Sequence, residues 1–170
     1  AAVIDFTPAY CEIHATCMVP ASSPAVRFAD LDRDGVRVSV KGGGAYDLWL
    51  TRNWKNAAFV RERTLDDSYD AYIENNLEAL AGLRPMLLDN LERSGEGTHR
   101  ILDGSFMSVQ QAVGCLKAPT NDGEDDGDVS PGHAFLCNFV EESRRPGNIV
   151  EKLIEAHGTV GRLSLPTEDS

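Results

Sequence analysis

The sequence predicts an α+β fold, with antiparallel β-strands at about residues 25–62 followed by four or five α-helices at about residues 65–158. The first region alternates apolar and polar residues, as half-buried strands do. The second repeats apolar residues every three or four positions, as amphipathic helices do. Strands followed by helices favour an antiparallel sheet over a β-α-β repeat. The 170 residues contain no clear linker, so a single globular domain over residues 1–170 is expected.

The strand predictions rest on this alternation. Four segments share it: residues 25–29, 36–40, 46–50 and 58–61. The first two flank a loop that ends in Asp34-Gly35, which suits a hairpin turn. The Gly42–Gly44 triplet is followed by neither a lysine nor a helix-start signal, so it is predicted to be a flexible turn and not a phosphate loop. Residues 1–24 lack the pattern and are predicted to be a flexible N-terminal segment.

The first helix predictions rest on capping and spacing. Thr64, with Asp67 three residues later, resembles a capping box, and apolar residues continue at helical spacing as far as Leu91. Pro85 is expected to kink this helix or to begin a new one. Residues 106–116 place apolar side chains on one helical face and predict a further helix.

The last two helices have the clearest start signals. Ser130-Pro131 combines an N-cap residue with a proline suited to the first turn. Asn148 is an N-cap residue that precedes an apolar stripe, and Gly158 ends that stripe. Both segments are therefore predicted to be helical.

The charge of the chain is concentrated in one stretch. The formal net charge is −11, which argues against nucleic acid or an anionic membrane as the main partner. No apolar run is long enough to span a bilayer. Seven acids and no base lie between Lys117 and Arg144, whereas residues 27–63 hold eight bases and five acids. The molecule is therefore locally basic and locally acidic.

An acidic loop over residues 119–131 carries most of that negative charge. Its five carboxylates belong to Asp122, Glu124, Asp125, Asp126 and Asp128. Such a density of charge predicts a surface that docks a protein partner with a basic surface. The competing interpretation is a solvated loop with no partner.

The four cysteines favour export. An even count predicts two disulfides, Cys11–Cys17 and Cys115–Cys137, because short loops close at the least entropic cost. The chain starts with Ala1-Ala2, as a mature protein does after a signal peptide is removed. An extracellular or periplasmic location is therefore expected. Zinc held by the Cys11, His14 and Cys17 segment is the alternative to a disulfide.

A calcium loop is a second candidate metal site. Asp30, Asp32 and Asp34 stand at alternate positions before a glycine, as in the front half of an EF-hand loop. The twelfth position of such a loop needs an acid but is Lys41 here, so an Asp-rich turn is the favoured interpretation. Calcium apart, no cofactor is expected.

The sequence favours binding over catalysis. It contains no nucleophile-elbow or zinc-protease motif. We therefore expect a small exported binding protein, such as an inhibitor, an immunity-type protein or an accessory subunit, that recognises a protein partner through the acidic loop. The alternative is a secreted hydrolase in which His99 or His133 acts as general base, with Glu96 beside His99.

Overall fold

The computed structural model describes residues 4–116 and 130–166, and within them it confirms the mixed α+β content. The strands are β1 (Ile4–Phe6), β2 (Cys11–Pro20), β3 (Arg37–Lys41), β4 (Ala58–Glu62), β5 (Ala79–Leu83), β6 (His99–Ile101), β7 (Met107–Gln111) and β8 (Gly114–Leu116). The helices are α1 (Ala45–Asn53), α2 (Leu65–Glu74), α3 (Arg84–Ser94), α4 (Pro131–Ser143) and α5 (Ile149–Ala156). None of the described helices is long and apolar enough to cross a membrane.

The chain divides into two compact units. The first unit consists of Ala1–Glu12 and Gln110–Ser170, and the second consists of Ile13–Val109. We refer to them as the terminal unit and the central unit.

The central unit is built on a mixed sheet in the order β4-β3-β5-β2-β6, and β7 also pairs with β2. The strand β3 is parallel to both β4 and β5, whereas β2 is antiparallel to β5 and β6. In the chain, α1 connects β3 to β4, and α2 connects β4 to β5. The carboxyl ends of β3, β4 and β5 therefore lie at one edge of the sheet.

Apolar clusters form on the two faces of this sheet. Val38 and Val40 belong to one cluster, which includes Leu50 of α1. Leu80 belongs to the other cluster, which includes Leu87 of α3. Side chains alternate between the faces of a strand, so β2 and β5 contribute to both clusters and carry few polar residues.

The pairing of the predicted strands is wrong. Residues 37–41 and 58–62 are strands, but they pair in parallel and not as an antiparallel sheet. Residues 28–31 form a short 3-10 helix, so the predicted hairpin around the Asp-rich loop is absent. Residues 46–50 lie in α1, where Tyr46 and Leu50 are buried four residues apart on one face.

Three other segments also differ from the prediction. Cys11–Pro20, expected to be flexible, is a strand whose central residues Cys17 to Val19 are fully buried. Ala79–Leu83 interrupts the long predicted helix as a strand, and α3 begins beside Pro85 as one of the two alternatives expected. Residues 106–116 contain β7 and β8 in place of a helix.

The terminal unit combines a two-stranded antiparallel sheet, β1 with β8, and the helices α4 and α5. Both helices begin where the sequence predicts, since Ser130 Oγ accepts from the His133 amide and Asn148 Oδ1 accepts from the Ile149 amide. Several large apolar side chains are exposed here, among them Leu116 at 79% and Phe135 at 68%.

Replacing Thr64 with alanine is expected to lower the free energy of unfolding by about 1 kcal/mol. The reason is that Thr64 Oγ1 accepts a hydrogen bond from the Asp67 amide at 3.0 Å and caps the start of α2. Thr64→Ser retains the acceptor and is the matched control. Urea unfolding followed by circular dichroism checks the difference, and equal midpoints for Thr64→Ala and the unmodified chain would contradict the role of the cap.

Candidate functional site

The candidate site is the edge of the central sheet where three parallel strands end. Lys41 of β3 is in register with Glu62 of β4, and Ser39 is in register with Leu80 of β5. In sheets with parallel strands, ligands bind in the crevice beyond the carboxyl ends of the strands. We call this the carboxyl edge.

The first feature of the carboxyl edge is a glycine turn that leads from β3 into α1. Gly42 donates its amide to the Glu62 carbonyl at 2.9 Å, which ties the turn to β4. Gly43 has a φ of +76°, a conformation that favours glycine. Gly44 is the N-cap of α1, and no side chain caps the helix there. The first turn of α1 therefore presents backbone N–H groups that no cap satisfies.

A buried carboxylate holds this turn in place. Asp47 Oδ2 accepts from the Gly43 amide at 2.8 Å, and Asp47 Oδ1 accepts from Arg61 Nε at 3.0 Å. Arg61 also donates to Thr51 Oγ1 at 2.8 Å and lies over the Phe59 ring at 5.1 Å. Asp47 is thus satisfied within the protein and fixes the glycine turn relative to β4.

A buried hydroxyl lies beside the uncapped helix start. Tyr46 is only 6% exposed, and its hydroxyl has no hydrogen-bond partner among the described residues. The ring carbon that bears this hydroxyl lies 3.8 Å from the position that a Cβ on Gly44 would occupy. Burial raises the pKa of Tyr46, and the Asp47 charge adds to the effect, so the hydroxyl is protonated and can donate. A buried donor without a partner is costly unless a ligand satisfies it.

The second helix start at the carboxyl edge carries a cation. Arg84 is the first residue of α3, directly after β5, and no side chain caps that helix at Leu83. Arg84 is half-buried and makes no ion pair or side-chain hydrogen bond with the described residues. A cation at a helix N-terminus opposes the helix dipole. An anion bound at this edge would pair with the Arg84 guanidinium and would offset its unfavourable interaction with the helix dipole.

The site was not predicted from the sequence because the glycine triplet was interpreted as a flexible turn with no helix after it. The missed signal was the four-residue spacing of Tyr46 and Leu50, which the alternation of residues 46–50 concealed. A glycine run between a strand and a helix is a turn that brings backbone N–H groups to a ligand.

The Asp-rich loop is explained by local hydrogen bonds. Asp30 accepts from the amides of Arg27 and Val26, and these bonds hold its pKa below the usual value. The Asp32 carboxylate accepts from three consecutive amides, at residues 55–57. Among the described residues, no group of three or more His, Cys, Asp or Glu side chains could hold a metal ion, and Asp34 therefore belongs to no such group. The calcium site stays a prediction, and these contacts favour the structural role.

The two histidines of the hydrolase hypothesis lie in different units. His99 lies in β6 and lines a cleft of about 380 Å³ together with Glu92 and Glu96. Thr98 Oγ1 lies 2.8 Å from His99 Nδ1. His133 lies in α4 of the terminal unit, with its Nε2 3.5 Å from the Cys137 sulfur.

The predicted disulfides are wrong, because all four cysteines are free. Cys11 and Cys17 lie in the same strand, β2, and a strand rises about 3.3 Å per residue, so their sulfurs cannot meet. Burial raises the pKa of the Cys17 thiol to about 12, which makes it an unreactive core residue. The same strand geometry separates the proposed zinc ligands.

The acidic residues of the predicted partner site lie outside the described residues. They are Asp122, Glu124, Asp125, Asp126 and Asp128, all within the segment 119–131 of which the structure describes only the end. Their role is therefore judged from the comparisons alone.

No family model matches this chain, and no curated protein matches it in sequence. Its fold does match solved structures. It is similar to a putative binding component of an ABC transporter from Wolinella succinogenes complexed with lysine, with a TM-score of 0.67 and 16% identity over 98% of this chain and 64% of that one. It also resembles the GluR0 ligand-binding core complexed with L-glutamate, with a TM-score of 0.67 and 14% identity over 98% and 66% of the two chains.

A third match is the second substrate-binding domain of a putative amino acid ABC transporter from Streptococcus pneumoniae, with a TM-score of 0.59 and 18% identity over 90% and 64% of the two chains. At these identities the likeness establishes the fold. The chain spans 64% to 66% of the length of the three structures. The predicted extracellular or periplasmic location agrees with the matches to binding components of ABC transporters.

These matches contradict the function predicted from the sequence. The structures that share the fold are described as binding amino acids, whereas the sequence predicted an inhibitor, an immunity-type protein or an accessory subunit, or else a hydrolase. The predicted partner with a basic surface is wrong for the same reason. An acidic composition and the lack of a catalytic motif are equally compatible with a protein that binds small molecules.

Replacing Asp47 with asparagine is expected to lower the free energy of unfolding by about 2 kcal/mol, since the charge-assisted hydrogen bond from Arg61 to the buried carboxylate would be lost. In a chain that already carries Arg61→Gln, Asp47→Asn should lower the free energy of unfolding by less. Asp67→Asn is the control, because it makes the same chemical change at an exposed first-turn position. Guanidinium unfolding of the single and double variants measures the effect, and additive losses would argue against the pair.

The stability of the chain is expected to fall as the pH decreases through about 6.5, the value for an unperturbed histidine. Burial lowers the pKa of His99 in the folded state, so between the two pKa values only the unfolded chain binds the proton. His99→Gln should reduce this pH dependence, whereas His157→Gln, at an exposed position, tests the contribution of a different histidine. Melting temperatures from pH 5 to 8 provide the readout, and an identical slope after His99→Gln would refute the assignment.

Proposed function

We propose that this chain binds a free amino acid outside the cytoplasm, as the ligand-binding part of an ABC transporter. The observation that carries the proposal is the fold match over 98% of the chain to structures described as complexes with lysine and with L-glutamate. The chain spans under two thirds of the length of those structures. That the complete protein binds an amino acid and delivers it to a membrane partner is therefore also part of the proposal.

In this proposal, the α-carboxylate of the ligand binds at the uncapped start of α1. Backbone N–H groups at a helix N-terminus and the positive end of the helix dipole both favour a carboxylate. The glycines at 42–44 let the ligand approach the backbone closely, and Asp47 is occupied inside the turn and does not compete. The Tyr46 hydroxyl beside Gly44 is a further donor for the ligand.

A binding role also accounts for the polar groups that gather at this edge. Arg61 and Asp47 satisfy each other there. A hydroxyl and an imidazole, Ser108 Oγ and His14 Nδ1, lie 2.8 Å apart on β7 and β2. Such groups orient a small ligand, which is what a binding protein needs from its site.

The proposal is tested by titrating the chain with the twenty common amino acids while its melting temperature and heat of binding are recorded. At least one amino acid is expected to raise the melting temperature, because a ligand that binds only the folded state stabilises it. The absence of any shift or heat at millimolar ligand would contradict the proposal.

Gly44→Asp is expected to weaken binding at least tenfold while raising the free energy of unfolding by a few tenths of a kcal/mol. The new carboxylate would cap α1 and occupy the N–H groups assigned to the ligand. Gly44→Ala is the matched control, since a Cβ at Gly44 meets only ordinary contacts, the nearest at 3.5 Å. Calorimetry and urea unfolding measure the two effects. Unchanged affinity in a stabilised Gly44→Asp variant would place the carboxylate elsewhere.

A further inference from the structure

We propose that the terminal unit is completed by a further polypeptide segment of the same protein, which covers the apolar surface of the unit. The segment corresponds to the third of the matched structures that this chain does not span. We define the apolar surface by six exposed side chains: Phe6, Leu116, Phe135, Phe139, Ile149 and Leu153. The inference concerns the terminal unit by itself and does not depend on the binding of an amino acid.

The first step is that the terminal unit buries few apolar side chains. Both clusters of buried apolar residues belong entirely to the central unit. Among the described residues of the terminal unit, the buried apolar side chains are Ala9, Cys11 and Val140. Of the exposed large apolar side chains that the structure describes, nine lie in the terminal unit and four in the central unit, although the terminal unit is the smaller one. A domain is stabilised when its elements bury their apolar faces, so these faces lack a partner.

The second step is the exposure of both helices of the unit. None of the eight residues of α5 is buried, although four of them are aliphatic: Ile149, Val150, Leu153 and Ile154. In α4, Val140 is buried, whereas Phe135 and Phe139, which lie one turn apart on an adjacent face, are 68% and 51% exposed. A helix with apolar residues on more than one face is typically covered on more than one side. Both helices therefore present apolar faces that the described residues do not cover.

The third step is the two-stranded sheet. Among the described residues, β1 pairs only with β8, so each strand has an outer edge with no neighbouring strand. Ile4 is in register with Leu116, two residues from Phe6 on the same face, and all three side chains are exposed. Two strands by themselves are marginally stable in water, and a free edge is a template for pairing with a further strand. The sheet thus offers a place where another strand can add.

The fourth step is an apolar groove of about 320 Å³ beside α5. The helix contributes Val150, Leu153 and Ile154 to its lining. The opposite side includes Cys11 at the start of β2 and Leu163. Most of the lining is apolar, so the groove fits the apolar side chains of a polypeptide better than it fits a charged ligand.

The fifth step identifies the occupant. The matches cover 98% of this chain but only 64% and 66% of the lysine-bound and glutamate-bound structures. About a third of each matched fold therefore has no counterpart in these 170 residues, and that third belongs to the same polypeptide as the matched part. A segment of this size can add strands to β1 and β8 and pack an apolar face on α4 and α5. Residues 117–129 are poorly suited to the role by composition, because five are acidic and Val129 is their only branched aliphatic residue.

The experiment compares the 170-residue chain with the complete polypeptide that its natural gene encodes. Each form carries Cys115→Ser and Cys137→Ser, which removes the half-buried thiols. Phe135→Cys is then added, and its reaction with a maleimide is followed by mass spectrometry. We expect the reaction to be at least about tenfold slower in the complete polypeptide, because the segment must open before the thiol reacts. Leu153→Cys should respond in the same way.

Val26→Cys is the matched control, because Val26 is 66% exposed and lies in the central unit. Its rate of reaction should be the same in both forms. Hydrogen exchange at the amides of α4 and α5 makes the same comparison without a substitution, and it should be slower in the complete polypeptide. This second measurement decides the question even if a cysteine variant does not fold.

Four results would overturn the proposal. The first is a natural polypeptide that contains no segment beyond these 170 residues, as shown by its intact mass. The second is equal reaction and exchange rates in the two forms. The third is a complete polypeptide that dimerises and becomes monomeric with Phe135→Ser, since a second copy would then be the occupant. The fourth is binding of the complete polypeptide to phosphatidylcholine vesicles that Phe135→Ser abolishes, since the surface would then bind lipid. A failure to bind any amino acid would contradict the proposed function and leave this inference unaffected.

Discussion

The parallel pairing of β3 with β4 and β5 is the constraint on which the candidate site depends. Parallel strands cannot be joined by a tight hairpin, so the chain must return across a face of the sheet between them. The helices α1 and α2 make these two crossings. Since each helix begins where a strand has just ended, the N-termini of α1, α2 and α3 all lie at the carboxyl edge. The grouping of backbone donors there follows from topology and requires no sequence motif.

The Asp47 carboxylate determines which of those donors remain available. An acid in the first turn of a helix often satisfies the backbone at its own N-terminus. Here the carboxylate bonds to the Gly43 amide, one residue before the N-cap, and to Arg61 on the neighbouring strand. The turn is therefore rigid while the start of α1 stays uncapped. Thr64, in contrast, caps α2 with its own side chain. Of the three helix starts at this edge, α1 and α3 are the two without a side-chain cap.

Local signals in the sequence were reliable, whereas signals that depend on tertiary structure were not. The caps at Thr64, Ser130 and Asn148 could be predicted because each is a contact between residues at most three apart. The strands β2 and β5 could not, because a strand buried on both faces has no alternation to distinguish it from a buried helix or an apolar loop. Parallel pairing is likewise invisible in the strands themselves. The candidate site was missed because it consists mainly of backbone N–H groups, which every residue but proline carries and which therefore leave no signal in the sequence.

The net charge of −11 also shows why composition was a poor guide to the ligand. A ligand the size of an amino acid experiences charges within roughly one Debye length, about 8 Å at physiological salt. Two acids in the first turns of α1 and α2, Asp47 and Asp66, are already paired with Arg61 and Arg93. Seven of the acids lie between Lys117 and Arg144 in the sequence. The total charge therefore describes solubility and long-range repulsion, whereas the pairing of each acid determines how much charge remains free near the carboxyl edge.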